Sequence, residues 1–266
     1  MRSVDEIRAA VEAGRLAPAA VIVEAAARHR ATHAAVNALV QPRFEAAEAE
    51  AQAGGAGPLS GVPVSVKDCF AVAGQRTTLG IDSRRDVVDA ADAPLVARLR
   101  AAGAIVIGKA NVPQAMLLHE TVNPVWGRTN HPQDRDRGPG GSSGGDAALV
   151  AAGVVPLAVG NDLAGSLRQP AHACGVATIM PRSAALGDGG GFDTMPHLTA
   201  FRSRAGFLAR TVADLRPALA AVDVPATAGA GRPSTVGWWD DAGPIPASAA
   251  VRRAVREAAS RLEAAG

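Results

Sequence analysis

The segment Gly138-Pro139-Gly140-Gly141-Ser142-Ser143-Gly144-Gly145 constrains this chain more than any other. It closes a stretch, residues 123–145, that is rich in Pro, Gly, Ser and charge and holds too many breakers for regular structure. Apolar helical sequence begins at once near Gly145, with no polar spacer. Long irregular loops inside a compact chain are usually functional, so Ser142 and Ser143 are the first candidate functional residues.

A G-x-S-x-G pattern occurs twice here, centred on Ser142 and on Ser143. In α/β-hydrolases such a serine follows a hydrophobic strand. Residues 131–137 are instead Pro, Gln and charged residues, so that context is missing. A phosphate-binding loop would aim consecutive N–H groups at an anion ahead of a helix. Gly145 is followed by Asp146 rather than Lys, and an acidic first turn suits a helix N-terminus but repels phosphate.

The remaining chain alternates helix and strand. Ser3-Val4-Asp5-Glu6 reads as a capping box, with Val4, Ile7 and Val11 on one stripe before Gly14 ends the helix. A second helix is expected over 18–30, entered by a proline at its first turn. Val62, Val64 and Val66 alternate with Pro63, Ser65 and Lys67, the period of a strand, which turns Lys67 away from the valines. Helices are expected over 94–102 and 112–120, with a short buried strand over 104–107 between them. A helix from about Gly145, a strand over 154–159 and a turn over 160–165 then lead to Ser166. Beyond Thr211, whose Thr-x-x-Asp with Asp214 resembles a helix cap, come a helix, a strand over 235–239 and a helix over 248–265. The alternation predicts an α/β layered fold.

Composition narrows the function class. Hydrophobic residues make up 48% and charged residues 20% of the 266, the range of soluble globular proteins. With 27 Lys and Arg against 25 Asp and Glu, and no single-sign block, the sequence argues against direct nucleic-acid binding and against an anionic membrane as partner. Cys69 and Cys174 lie outside any metal-ligand spacing and suit a reducing cytoplasm, the expected location. The N-terminus shows no apolar signal segment. The longest apolar stretch, 147–160, is broken by Gly153 and Pro156 and falls short of the ~20 residues a bilayer span takes. His131 and His172, the histidines nearest the glycine loop, read as hydrogen-bonded structural residues.

Three collinear motifs resemble the amidase-signature hydrolases. Gly61-Val62-Pro63-Val64-Ser65-Val66-Lys67-Asp68 matches the family's Gly-x-Pro-x-x-x-Lys-Asp strand, and Gly140 to Gly145 its Gly-Gly-Ser-Ser-Gly-Gly loop. Gly165-Ser166-Leu167-Arg168 matches its Gly-Ser-x-Arg segment, with Ser166 at the family's spacing of 24 residues after Ser142. Further matches are Gly108-Lys109-Ala110-Asn111, Asn123-Pro124-Val125-Trp126-Gly127, Pro170-Ala171-His172-Ala173-Cys174-Gly175 and Ala209-Arg210-Thr211-Val212-Ala213-Asp214. The resemblance implies a single domain over 1–266, with a helical N-terminal region at about 1–52 and an α/β core at about 58–266. Its sheet would be mixed, flanked by helices and lacking the C-terminal part of the family fold. That shortfall admits a truncated gene, a homo-oligomer or second chain completing the sheet, or a scaffold without activity.

The resemblance also assigns roles. Ser166 would attack the carbonyl of a small-molecule amide, and Ser142 would pass its proton to Lys67, kept neutral by burial, which lowers a lysine's pKa. The peptide before Ser142 would be cis. Leu163, Ala164 and Gly165 would aim N–H groups at the oxyanion. Met116 would line the acyl pocket, and Ser143, Asp162 and Arg168 would brace the site, with neither metal nor cofactor. A glutaminase-type subunit of a tRNA-dependent amidotransferase is a further reading of the same motifs. Asn161 and Ala164 depart from the family, which commonly has Thr and Gly there. A left-handed Ala164 would cost ~1 kcal/mol.

Overall fold

The computed structural model describes residues 1–182, 186–192, 201–224, 235–241, 243–244 and 246–265, which fall in two compact units, Met1–Ala226 and Thr227–Gly266. The first unit contains α1 (Val4–Glu12), α2 (Pro18–Val36), β1 (Leu39–Pro42), α3 (Phe44–Ala53), β2 (Pro63–Lys67), α4 (Pro94–Ala101), β3 (Ile105–Ala110), β4 (Val122–Asn123) and β5 (Gly127–Arg128). It continues with α5 (Gly144–Ala151), β6 (Leu157–Asp162), α6 (Arg168–Cys174), β7 (Ala177–Ile179), β8 (Arg204–Ala209) and α7 (Val212–Ala221). Six strands form one mixed sheet in the order β1-β3-β2-β6-β8-β7. The central β3, β2 and β6 run parallel, β1 is antiparallel to β3, and β8 is antiparallel to both β6 and β7. The expected α/β fold with a mixed sheet flanked by helices is the one observed.

Side-chain alternation along each strand splits the apolar residues into two layers. Val64, Val66, Val106, Leu157, Val159 and Phe207 pack on one face with Ile7, Leu95, Leu99 and Leu215. Ile105, Ile107, Ala158 and Leu208 pack on the other with Ile22, Ala25, Leu149 and Val150. On this second face β2 presents Ser65 and Lys67 instead of aliphatic side chains, and both are fully buried. A polar seam therefore runs through the middle of the sheet, covered by α5, whose residues 144–150 are all buried.

The capping box of α1 is formed: Ser3 Oγ accepts the Glu6 N–H at 3.1 Å and the Glu6 carboxylate accepts the Ser3 N–H at 2.7 Å. α2 continues past the expected end at 30 because residues 31–36 contain neither Gly nor Pro, and it stops at a left-handed Asn37. β3 and β6 extend beyond the expected strands to Ala110 and Asp162, held by ladders with β1, β2 and β8. β8 itself, Arg-Ala-Gly-Phe-Leu-Ala, has little strand propensity and exists because six of its residues pair with β6.

Two expected elements are corrected. Residues 112–120 form no α-helix; Ala115 and Met116 are left-handed (φ 53° and 59°), and the Ala115 N–H turns away to Leu79 O, leaving one 3-10 turn over Gln114–Met116. Residues 235–239 form no strand. The loop is irregular over 123–143 apart from the two-residue β4–β5 pairing at its start, and Gly144 and Gly145 already belong to α5. In the second unit α8 (Ala249–Ala264) follows the expected Ser248 cap, and Arg256 pairs with Asp240 at 2.6 Å. Among the described residues no helix is long and apolar enough to cross a membrane.

Gly145 shows why the loop ends in glycines. A Cβ there would lie 2.5 Å from the backbone N and O of Asn111 at the end of β3, so α5 reaches the sheet only without one. Gly145→Ala is expected to destabilise the fold by about 1–3 kcal/mol, read as a lower urea midpoint. His29, buried in α2 beside Phe44, is pushed from 6.5 down to about 4 by burial and by its neighbours His33 and Arg30. The unfolded chain therefore takes up a proton first as pH falls, and the stability His29 contributes above pH 6.5 is lost towards pH 4. The stability gap between the wild type and His29→Gln is expected to shift in favour of the variant over that window in urea titrations.

Candidate active site

β2 and β6 are parallel neighbours, so their C-terminal ends deliver Lys67 and Asn161 to the same edge of the sheet. Lys67 Nζ donates to Ser142 Oγ at 2.7 Å and to Asn161 Oδ1 at 2.6 Å, and the side chain has no solvent exposure. Burial drives its pKa down from 10.5, opposed by Cys69 and by the carboxylates of Asp146 and Asp162. The chain has only two lysines, Lys67 and Lys109, both fully buried; the rest of its 27 Lys and Arg residues are arginines. Arginine does not give up its proton in proteins, whereas a buried lysine without a matching charge can. Lys109 is held by an ion pair to Asp68 at 3.1 Å and by the Arg76 carbonyl at 2.9 Å.

The Gly141–Ser142 peptide is cis. Two side chains hold the loop from outside: Thr121 Oγ1 donates to Gly140 O at 2.7 Å, and Gln169 Oε1 accepts the Gly141 N–H at 2.8 Å. Ser143 joins this loop to the next, its N–H donating to Ser166 O at 3.0 Å and its hydroxyl to Asn161 O at 3.3 Å. The two candidate serines thus sit on segments tied together through Ser143.

The turn carrying Ser166 is organised by Asp162. Its carboxylate accepts the N–H groups of Gly165 at 2.7 Å, Leu167 at 2.9 Å and Arg168 at 3.2 Å. It also takes both arms of the Arg168 fork, at 3.1 and 2.9 Å. Burial alone would raise the Asp162 pKa, but the Arg168 side chain and these N–H groups outweigh it and hold the carboxyl well below its ordinary range. Because Gly165 donates to Asp162, the N–H groups of the turn without an acceptor among the described residues are those of Leu163, Ala164 and Ser166. Gly165 is the left-handed residue here (φ 111°); Ala164 is not, so the feared strain is absent. Ser166 is half-buried, and its hydroxyl has no hydrogen bond among the described residues.

Met116, half-buried in its left-handed turn, packs against the core on the valine face. The ring of His131 lies 3.1 Å from Ala173 O and accepts the Gln133 N–H, a structural role. Burial pushes the Cys69 and Cys174 thiols up to about 12, which leaves them protonated. Among the described residues no group of three or more His, Cys, Asp or Glu is placed to hold a metal ion. Thr121, Gln169 and Asp146 were not picked out from the sequence as site residues. Of these only Asp146 left a signal, a lone charge inside the apolar stretch that begins at Gly144.

Comparison with known proteins identifies the family of the chain. The family profile described as Amidase matches residues 20–266. An indoleacetamide hydrolase from Bradyrhizobium diazoefficiens is 39% identical over 221 residues, 79% of this chain and 42% of that protein. Fatty-acid amide hydrolase 1 from Sus scrofa is 32% identical over 272 residues, 96% of this chain and 47% of that protein. The solved structure of a 6-aminohexanoate cyclic dimer hydrolase with its substrate superposes with a TM-score of 0.74 at 30% identity, covering 92% of this chain and 50% of that one. The chain spans about half the length of the relatives it matches. On its profile match and its relatives, this chain belongs to the amidase-signature family.

Proposed function

We propose that the chain hydrolyses the C–N bond of a small-molecule amide through a Ser166–Ser142–Lys67 relay. The observation that carries this reading is the buried Lys67 amine 2.7 Å from Ser142 Oγ, on a loop bonded to the Ser166 segment. Ser166 Oγ attacks the carbonyl carbon while its proton passes to Ser142 and the Ser142 proton to Lys67. The N–H groups of Leu163 and Ala164 stabilise the oxyanion, and Met116 lines the acyl side. The relay then runs backwards, protonating the leaving nitrogen as the C–N bond breaks. Water enters by the same route, giving one proton to the relay as its oxygen bonds to the carbonyl carbon; the C–O bond to Ser166 then breaks, Ser166 Oγ takes the proton back from the relay, and the acyl group leaves as an acid. Ser143, Asp162 and Arg168 keep the two segments in register. The named relatives act on amides with unrelated acyl groups, so the shared amide bond, not the acyl chain, defines the proposed substrate class.

A fluorophosphonate is expected to label the folded chain at Ser166 alone, read by mass spectrometry of peptides. Absence of an adduct on Ser166 overturns the hydrolase reading in favour of an amidase-like binding protein without turnover. Lys67→Ala is expected to slow labelling by about 10²- to 10⁴-fold, the usual worth of a general base. The rate should rise with pH through the lowered pKa of Lys67, because only the neutral amine accepts a proton. Asn161→Ala removes one of the two partners of Lys67 Nζ and is expected to slow labelling about tenfold, with Asn161→Thr recovering most of the loss.

A further inference from the structure

Asp146 stands in the first turn of α5 with no solvent exposure. Its Oδ1 accepts the Ser65 hydroxyl at 2.9 Å, and its Oδ2 has no hydrogen-bond partner among the described residues. A buried carboxylate with an unpartnered oxygen is expensive, and a first-turn acid that served the helix end alone could stay in water. Ser65 and Lys67 are two residues apart on β2 and so point to the same face, which places the carboxyl on the side of the sheet where the Lys67 amine lies.

The other groups around Lys67 are already committed. Asp68, next along β2, pairs with Lys109 at 3.1 Å and accepts the Thr78 hydroxyl at 2.5 Å. On β6, Asp162 has its own cation in Arg168, although its charge still reaches Lys67, and Asn161 carries no charge. Cys69 is kept as a thiol. Among the described residues the carboxyl facing this seam without a cation of its own is Asp146.

We propose that Asp146 is a positioning residue that sets the protonation of Lys67, the two behaving as one buried acid–base pair across Ser65. This inference rests on the relay described above. As the proton moves from Ser166 through Ser142 to Lys67 Nζ, the positive charge formed there faces the Asp146 carboxylate. The same proton leaves with the amine, so Asp146 has no net gain or loss over the cycle. Burial pushes the Asp146 carboxyl up to about 7, the Ser65 hydrogen bond and the charge of Lys67 pulling the other way. An ionised Asp146 in turn raises the proton affinity of Lys67. The pair therefore titrates in two linked steps.

With only two lysines in the chain, 13C labelling at lysine Cε gives two resonances, and Lys109 serves as internal control. Asp146→Asn keeps the acceptor for Ser65 and removes the charge. The Lys67 resonance is expected to titrate about one pH unit lower than in the wild type, the size of effect one nearby charge has, with Lys109 unmoved. The acid limb of Ser166 labelling should move down with it. Ser65→Ala, which makes Asp146 harder to ionise, is expected to move Lys67 the same way by less, and it supplies the test where Asp146→Asn does not fold. A Lys67 titration unchanged in a folded variant overturns the proposal. The resonance needs no turnover: if Lys67 shifts but Ser166 is never labelled, the pairing stands and the hydrolase reading falls.

Discussion

The structure is organised around one buried amine. Lys67 has no solvent contact, and its nitrogen meets Ser142 Oγ and Asn161 Oδ1 at 2.7 and 2.6 Å. Leaving an ammonium unpaired in the interior is prohibitive, so a lysine here must be neutral, hydrogen-bonded, or both. Every nearby element serves that requirement. β2 carries the amine inward, β6 brings Asn161 and Asp162 alongside, and α5 seals the face with glycines that let it approach Asn111.

The polar seam explains why a sheet with two apolar layers tolerates a gap on one of them. Val64 and Val66 complete the first layer, while Ser65 and Lys67 interrupt the second. The interruption is satisfied locally through Ser65–Asp146, Lys67–Ser142 and Lys67–Asn161. The unpartnered Oδ2 of Asp146 is the exception. Buried polar networks left partly satisfied concentrate where chemistry is done. The Lys109–Asp68 pair, also fully buried, shows the contrasting case, a lysine whose charge is matched and whose role is structural.

A second dependency runs through Asp162. Its carboxylate collects three backbone N–H groups and a bidentate arginine, fixing the turn between β6 and α6. It also takes up the Gly165 N–H, whereas those of Leu163, Ala164 and Ser166 have no acceptor among the described residues. Ala164 fits this turn because the left-handed position falls on Gly165. The departure from the family pattern is thus absorbed without a strained residue.

Motif spacing and side-chain period made much of this legible before any coordinates. The alternation over 62–67 put Lys67 opposite the valines, the capping box marked α1, and three collinear motifs picked out Lys67, Ser142 and Ser166. These are local or pairwise regularities, and sequence records them directly. What it did not record were features set by distant partners. β8 is a strand because β6 lies beside it, and 112–120 is not a helix because Ala115 bonds to Leu79. Thr121, Gln169 and Asp146 reach the site from other segments, through hydrogen bonds spanning 19, 28 and 81 residues. Residue type and spacing determined which groups are available for chemistry; tertiary packing decided which are buried, paired and charged, because burial and electrostatic neighbourhood belong to the folded chain alone.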